Sequence, residues 1–340
     1  MSLAAAVAAA MFAGVVLYAL FGGADFGSGL YDLTAGGAVR GGRLRVLIDH
    51  SIGPVWEANH VWLIYILVFF WTAFPTAFAA VMNTLFLPLI LALLGIVARG
   101  AAFAFRKYAA TLPQARLFGA VFAGSSLITP FFLGAVAGAI ASGRVPLHGR
   151  GNLITSWLHP TSIFGGLIAV GTCSLLAGVF LTADARRSAD EPLAERLRAQ
   201  TLVVGLVTGA LVLAALAPIH RDAPTLSHHL LGRAAPLIVV SAVAGLATLV
   251  LLWRRRYGIA RLSAVVAVTC VVLGWGFGQY PWLLVDQVRI AEAAGARATL
   301  VGLLIVVAAA AVIVVPALAY LYWLTQSEPW SHQQATEPAR

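Results

Sequence analysis

The sequence predicts an all-α polytopic membrane protein with about nine transmembrane helices, and three observations carry this prediction. Of the 340 residues, 61% are apolar and only 10% are charged, whereas an ordinary soluble chain has about 25% charged residues. The mean hydropathy is +0.91. Apolar runs of about 20 residues recur along the chain, and each can cross a hydrocarbon core about 30 Å thick. A water-soluble fold is therefore excluded.

Nine apolar segments are the expected spans, and each has a visible cause for its ends. Pro75 separates the second segment from the third, and these two are expected to form a tight hairpin. The first segment has no cation before its apolar stretch, so we interpret it as a helix and not as a signal peptide. The expected spans cover residues 3–24, 54–74, 76–98, 117–142, 160–182, 200–219, 233–253, 259–280 and 299–324.

Arginines in the short loops predict the orientation of the chain. Cations near the ends of spans resist translocation across the membrane. In the nine-span arrangement, 16 of the 22 Lys and Arg residues fall on one side and 6 on the other. This bias predicts an N-terminus outside and a cytoplasmic C-terminus. The net charge of +9 is thus interpreted as a topology signal, and no nucleic-acid partner is expected.

Ionisable side chains within the spans are the best indicators of function, because they cost several kcal/mol there. Asp25 and Asp32 close the first span, while Glu57 and His60 open the second, so all four are expected toward the cytoplasmic half. The spacing of seven places both aspartates on one helical face, if the helix continues that far. Trp56, Glu57 and His60 are expected to share one side of the second helix. We interpret the four ionisable residues as candidates for a proton path.

Other functions remain open on these residues alone. Buried carboxylates and Gly-rich breaks also mark secondary transporters of protons or small solutes. Polar side chains can instead hold helices together in a purely structural assembly subunit. Cys173 and Cys270 stand alone in apolar runs, and His60 is the one histidine placed inside an expected helix. The chain is therefore expected to bind no metal and no haem.

Four stretches resemble subunit II of the cytochrome bd-type quinol oxidases. GADFGSGLYDL at 23–33 and HSIGPVWEANHVWLIYILVFFWTAFPTAFA at 50–79 match the family's signature region. DQVRIAEAAGARATL at 286–300 is similar to its C-terminal region, and WLHPTSIFGGL at 157–167 fits more loosely. An acidic residue two positions before Asn, between two tryptophans and after an Asp-Phe-Gly turn, is a specific combination. The motif residues are Gly22, Phe26, Gly27, Trp56, Asn59 and Trp62.

The resemblance implies two four-helix bundles plus one peripheral helix, beside a larger haem-bearing subunit I. The expected units are a first bundle at 1–145, a second at 146–282, the ninth helix at 283–326 and a polar cytoplasmic tail at 327–340. It also implies that acidic residues at the positions of Asp25 and Glu57 contribute to proton uptake from the cytoplasm. Family members with Gln at the position of His60 would argue against a metal-ligand role there.

The resemblance further implies a complex that oxidises quinol and reduces dioxygen to water in a bacterial cytoplasmic membrane. Haem b and haem d are expected in the partner subunit, and no catalytic residue is expected in this chain. The expected partners are subunit I, the lipid bilayer and small accessory subunits, with quinol and dioxygen as substrates of the complex. A structural quinone or lipid between helices is a further expectation.

Overall fold

The structure, a computed structural model, describes residues 2–53, 55–106, 108–148 and 151–326. The polar tail expected at 327–340 lies outside the described residues. The described chain forms thirteen helices and one two-stranded antiparallel hairpin. In chain order they are α1 (Leu3–Leu33), α2 (Ala38–Ile52), α3 (Trp56–Ala73), α4 (Pro75–Thr84), α5 (Phe86–Arg106), α6 (Leu112–Ala141), α7 (Pro160–Arg187), α8 (Glu191–Asp222), α9 (Pro224–Leu231), α10 (Ala235–Trp253), α11 (Tyr257–Gln279), β1 (Trp282–Leu284), β2 (Val288–Arg289), α12 (Ile290–Ala293) and α13 (Arg297–Gln326).

Eight of the described helices are long and apolar enough to cross a membrane, namely α1, α5, α6, α7, α8, α10, α11 and α13. A ninth candidate span is the pair formed by Gly41–Ile52 of α2 and by α3, whose two parts meet at 53°. The predicted all-α, multi-pass membrane fold is confirmed. The division of the chain into 1–145, 146–282 and 283–326 stays a prediction.

The prediction for the third span was wrong in its position. Residues 76–98 were expected to form one helix in a tight hairpin with the second span. Instead α4 stands between α3 and α5, and Leu85 breaks the helix with φ −103° and ψ 25°. Pro75 can begin α4 because a proline at the first helical position loses no hydrogen bond, and Leu85 is fully buried. Helix α5 then runs from Phe86 to Arg106, so that Arg99 lies inside it.

Helix α1 is central to the fold and positions the candidate site. It continues to Leu33, beyond the predicted end at residue 24, and it packs against α3, α6 and α7. The contact with α7 is very close, because a Cβ placed on Gly27 would lie 1.9 Å from the carbonyl oxygen of Cys173. A Cβ on Gly29 would lie 2.3 Å from the Cβ of Ser126 on α6. Glycines at these two positions therefore permit the helices to approach.

Helix α13 lies at the edge of the described structure. It contacts α1 and α3, and its second half exposes large apolar and aromatic side chains. These are Val312, Ile313, Val314, Val315, Tyr320 and Trp323.

Candidate functional site

A buried carboxylate on α1 forms the centre of the candidate site. Asp25 is only 5% exposed. The side-chain amide of Asn59 on α3 donates a hydrogen bond to Oδ2 of Asp25, and a longer one to the carbonyl of Phe21 at 3.4 Å. These bonds join the two halves of the sequence motif. A buried carboxylate needs such donors, because burial removes its hydration.

A buried arginine on α5 lies beside this carboxylate. Arg99 is 1% exposed and within electrostatic range of Asp25. Its Nε donates to the hydroxyl of Ser126 at 3.1 Å, while its Nη2 has no hydrogen-bond partner. The guanidinium carbon lies 5.0 Å and 5.2 Å from the ring centroids of Phe26 and Phe122. The carboxylate and the two rings together compensate a buried cation that would otherwise be costly.

Sequence analysis did not identify Arg99 as a site residue. It was counted among the topology-determining cations, because the third span was expected to end at residue 98. A signal was nevertheless present, since the apolar run continues after Arg99 as AAFAF at 101–105. A cation with apolar residues on both sides lies within a span and not at its end.

His60 is enclosed by aromatic rings. Its ring centroid lies 5.8 Å from that of Phe26, 6.1 Å from that of Tyr18 and 6.4 Å from that of Trp56. The hydroxyl of Tyr18 lies 3.4 Å from its Nδ1. These surroundings do not fit an axial haem ligand, which must present one ring nitrogen to an open space for the macrocycle. Among the described residues, no group of three or more His, Cys, Asp or Glu side chains could hold a metal ion.

Glu57 lies outside this cluster. It is exposed, and it makes no hydrogen bond or ion pair with another described residue. Positions 57 and 60 are only about 60° apart around the helix, but His60 is partly buried, so Glu57 lies at the exposed edge of the side that Trp56 and His60 share. Glu57 instead begins an exposed stripe along α3. The stripe continues through Val61, Ile64, Val68 and Trp71.

Asp32 lies in a second, separate cluster at the same end of the molecule. It is 3% exposed. Its Oδ1 accepts from Nε of Arg45 at 2.7 Å, and its Oδ2 accepts from Nη1 of Arg106 at 2.7 Å. Nη2 of Arg106 also donates to Asp49 at 3.1 Å. This network connects α1, α2 and α5, and neither arginine nor Asp49 was identified as a partner by the sequence.

Two of the remaining motif residues make contacts between helices. The ring of Trp56 lies 5.7 Å from that of Phe103 on α5, and Trp62 packs against the buried cluster of Tyr18, Phe26 and Cys173. Gly22 makes a contact within α1, since a Cβ there would lie 2.8 Å from the ring of Tyr18. The structure thus brings Asp25, Asn59 and His60 around Phe26, and it leaves Asp32 and Glu57 outside this cluster.

Comparisons with known proteins show the family to which this chain belongs. A family model described as cytochrome bd terminal oxidase subunit II matches residues 3–325. Cytochrome bd ubiquinol oxidase subunit 2 of Bacillus subtilis strain 168 is 30% identical over 181 residues, which are 52% of this chain and 52% of the relative. Cytochrome bd-I ubiquinol oxidase subunit 2 of Escherichia coli K12 is 29% identical over 209 residues, 58% of this chain and 52% of the relative. The chain spans about half the length of these relatives.

A solved structure shares the fold over nearly the whole chain. A chain from the structure of bd oxidase from Geobacillus thermodenitrificans superimposes with a TM-score of 0.79 and 21% identity. The match covers 96% of this chain and 99% of that one.

Proposed function

Because this chain belongs to the cytochrome bd terminal oxidase subunit II family, we propose that it is the subunit without haem in a complex that oxidises quinol and reduces dioxygen to water. The haems, of types b and d, would lie in a partner subunit I. The ring-enclosed surroundings of His60 support this division, since they do not fit haem ligation. Small accessory subunits and a structural quinone remain part of the proposal.

The second part of the proposal is a path for protons taken up from the cytoplasm. The observation that carries it is the placement of two carboxyl groups on either side of Asn59. Asp25 is buried and bonded to Asn59, and Glu57 lies two residues earlier on the exposed side of α3. Asp25 supplies the buried end of the path, and Glu57 presents a protonatable oxygen to the neighbouring subunit.

Asp32 and His60 have different functions in this proposal. Both oxygens of Asp32 accept from arginines, so that protonating this carboxylate would break an ion pair. We therefore assign Asp32 to anchoring α2. Nδ1 of His60 faces the hydroxyl of Tyr18, and we assign His60 to positioning α3 against α1.

The exposed stripe of α3 is the proposed docking surface for subunit I. A charged group facing hydrocarbon is costly, so Glu57 favours a protein neighbour over lipid. The second half of α13 exposes further apolar side chains that such a neighbour would cover. The excess of arginines at the Asp32 end supports an N-terminus outside and a C-terminus inside the cell.

Purification from the native membrane in mild detergent tests the proposed function. A haem-bearing partner should copurify in stoichiometric amount, with absorbance of haems b and d and with quinol-dependent oxygen uptake. The same chain produced without its partner is the control, and it should show neither. Porphyrin iron bound to the isolated chain, or solute flux through the isolated chain in vesicles, would contradict the proposal.

A further inference from the structure

Three consecutive arginines form the turn between α10 and α11. Arg255 pairs with Glu195 on α8, with 3.3 Å between Nη2 and Oε2. Arg254 and Arg256 are exposed and have no carboxylate partner among the described residues. Glu195 also pairs with Arg198, so it neutralises only part of the local charge. The turn therefore keeps a positive surface.

The backbone adds further donors at the same place. Arg255 has a positive φ of 59°, which reverses the chain between the two helices. Helix α11 begins directly after Arg256, and no side chain caps its first turn. The first N–H groups of a helix have no partner within the helix and attract anions. Two guanidinium groups without a carboxylate partner among the described residues and the uncapped N-terminus of a 23-residue helix thus belong to one short turn.

An exposed apolar column leads away from this turn along α10. The exposed residues recur at intervals of four and three, which places them on one side of the helix. They are Val239, Val243, Leu246, Val250 and Trp253. On α11, Ile259 and Leu262 are likewise exposed, at 60% and 66%. The surface is therefore cationic at one end and apolar along its length.

We propose that the α10–α11 turn binds the phosphate headgroup of an anionic phospholipid, whose acyl chains lie along the exposed column of α10. A phosphodiester accepts hydrogen bonds from guanidinium and backbone N–H groups together. A free phosphate would use only the turn, whereas a phospholipid also covers the column. Each arginine near an anionic membrane surface contributes about a factor of five in affinity. The proposal does not depend on the oxidase activity.

Lipid titration of the purified complex tests the proposal. The complex is delipidated in detergent and titrated with phosphatidylglycerol or phosphatidylcholine, and native mass spectrometry counts the bound lipids. Phosphatidylglycerol should bind more tightly than phosphatidylcholine. The double variant R254Q/R256Q should weaken phosphatidylglycerol binding about 30-fold, the product of two such factors. The control R116Q removes an exposed arginine at the start of α6 and should leave binding unchanged.

Three results would overturn the proposal. The first is equal affinity for phosphatidylglycerol and phosphatidylcholine. The second is equal binding of phosphatidylglycerol by the double variant and the wild type. The third is displacement of the bound lipid by inorganic phosphate at a concentration equal to the dissociation constant of phosphate. If the double variant does not assemble, the salt dependence of lipid binding by the wild-type complex still tests the proposal. An electrostatic site must lose affinity as the salt concentration rises. Salt-independent binding would exclude the arginines. The variant R254K/R256K should retain most of the affinity.

Discussion

The side-chain amide of Asn59 on α3 donates a hydrogen bond to the carboxylate of Asp25 on α1, and both residues are buried. This bond connects two sequence motifs, and the sequence alone did not show that the motifs are in contact. It also fixes the position of the carboxylate relative to Arg99, whose charge lies nearby. The first prediction concerns the balance between these two charges.

Removing the negative charge of Asp25 should leave Arg99 insufficiently compensated. Arg99 would stay buried without the nearby negative charge, so we expect D25N to lower the free energy of unfolding by about 1–3 kcal/mol. The double variant D25N/R99Q should be less destabilised than the sum of the two single variants, because it removes both charges. Thermal unfolding of the purified complex measures the stability of D25N, R99Q and the double variant. Strict additivity would show that the two residues do not interact.

Glu57→Gln should separate proton transfer from assembly. The exposed carboxyl makes no hydrogen bond or ion pair with another described residue, so we expect normal partner content and a fall in oxygen uptake of at least about tenfold. E57D keeps the carboxyl and should retain most of the activity. The control E191Q removes an exposed carboxyl paired with Arg186 and should be neutral. Unchanged turnover of E57Q across pH would exclude Glu57 as a relay.

Asp32→Asn should loosen helix α2. The amide cannot hold two guanidinium groups as the carboxylate does, and the loss of one charged hydrogen bond costs about 2 kcal/mol. Hydrogen exchange should become faster in α2, and thermal stability should fall. E191Q is the control, because Glu191 pairs with Arg186 outside α2, both side chains are more than half exposed, and surface pairs contribute little. Normal exchange in α2 with an altered pH profile of oxygen uptake would assign Asp32 to the proton path instead.

Gly27→Ala should prevent α1 from packing closely against α7. Its added Cβ would lie 1.9 Å from a backbone oxygen, which no rotamer change can relieve. We expect a loss of more than about 3 kcal/mol, beyond ordinary overpacking, seen as a failure of the protein to accumulate in membranes. Gly23→Ala is the control, since its Cβ would meet the sulfur of Cys173 at 3.4 Å. If both variants accumulate equally, α1 and α7 do not approach as described.

His159, which precedes α7, predicts a loss of stability in acid. Its Nε2 lies 3.1 Å from Oγ of Ser142 and 2.9 Å from Oγ of Ser162. Burial, together with the nearby Arg144, lowers its pKa from 6.5 to about 4, although Asp222 opposes the shift. Between these values the unfolded chain binds a proton that the folded chain does not, so the free energy of unfolding falls as pH decreases from about 6.5 to about 4.

The melting temperature measured across that pH range checks the effect of His159. The variant H159Q lacks the titrating ring, so its melting temperature should fall less steeply than that of the wild type below pH 6.5. Parallel curves for the two proteins would show that another group causes the loss.

The sequence predicted the fold class and singled out Asp25 as a candidate, because both inferences depend on local composition. A long apolar run has few alternatives to a spanning helix, and an acidic residue inside one is costly enough to be informative. The apolar residues after Arg99 could have placed it inside a span, but its partners could not be predicted in the same way. Ser126, Phe26 and Phe122 lie on other helices, and only tertiary packing brings them to the guanidinium.

The short helices were missed for a different reason. Leu44, Ile48 and Ile52 of α2 are spaced by four and are all buried, which is an amphipathic pattern. A search for apolar runs long enough to span a membrane does not detect this pattern. The ion pairs of Asp32 follow from this omission, because Arg45 lies on the same helix. A loop was expected there, so the positions of its charged side chains could not be predicted.

The exposed carboxyl of Glu57 also affects the chain in the membrane before it binds the proposed partner subunit. An orphan copy in the bilayer would have to present this group to fatty acyl tails, or tilt until it reached the headgroups. Either state is less favourable than the docked one. Newly made chains are therefore expected to persist only when synthesis of both subunits is matched, and surplus copies should be recognised and degraded.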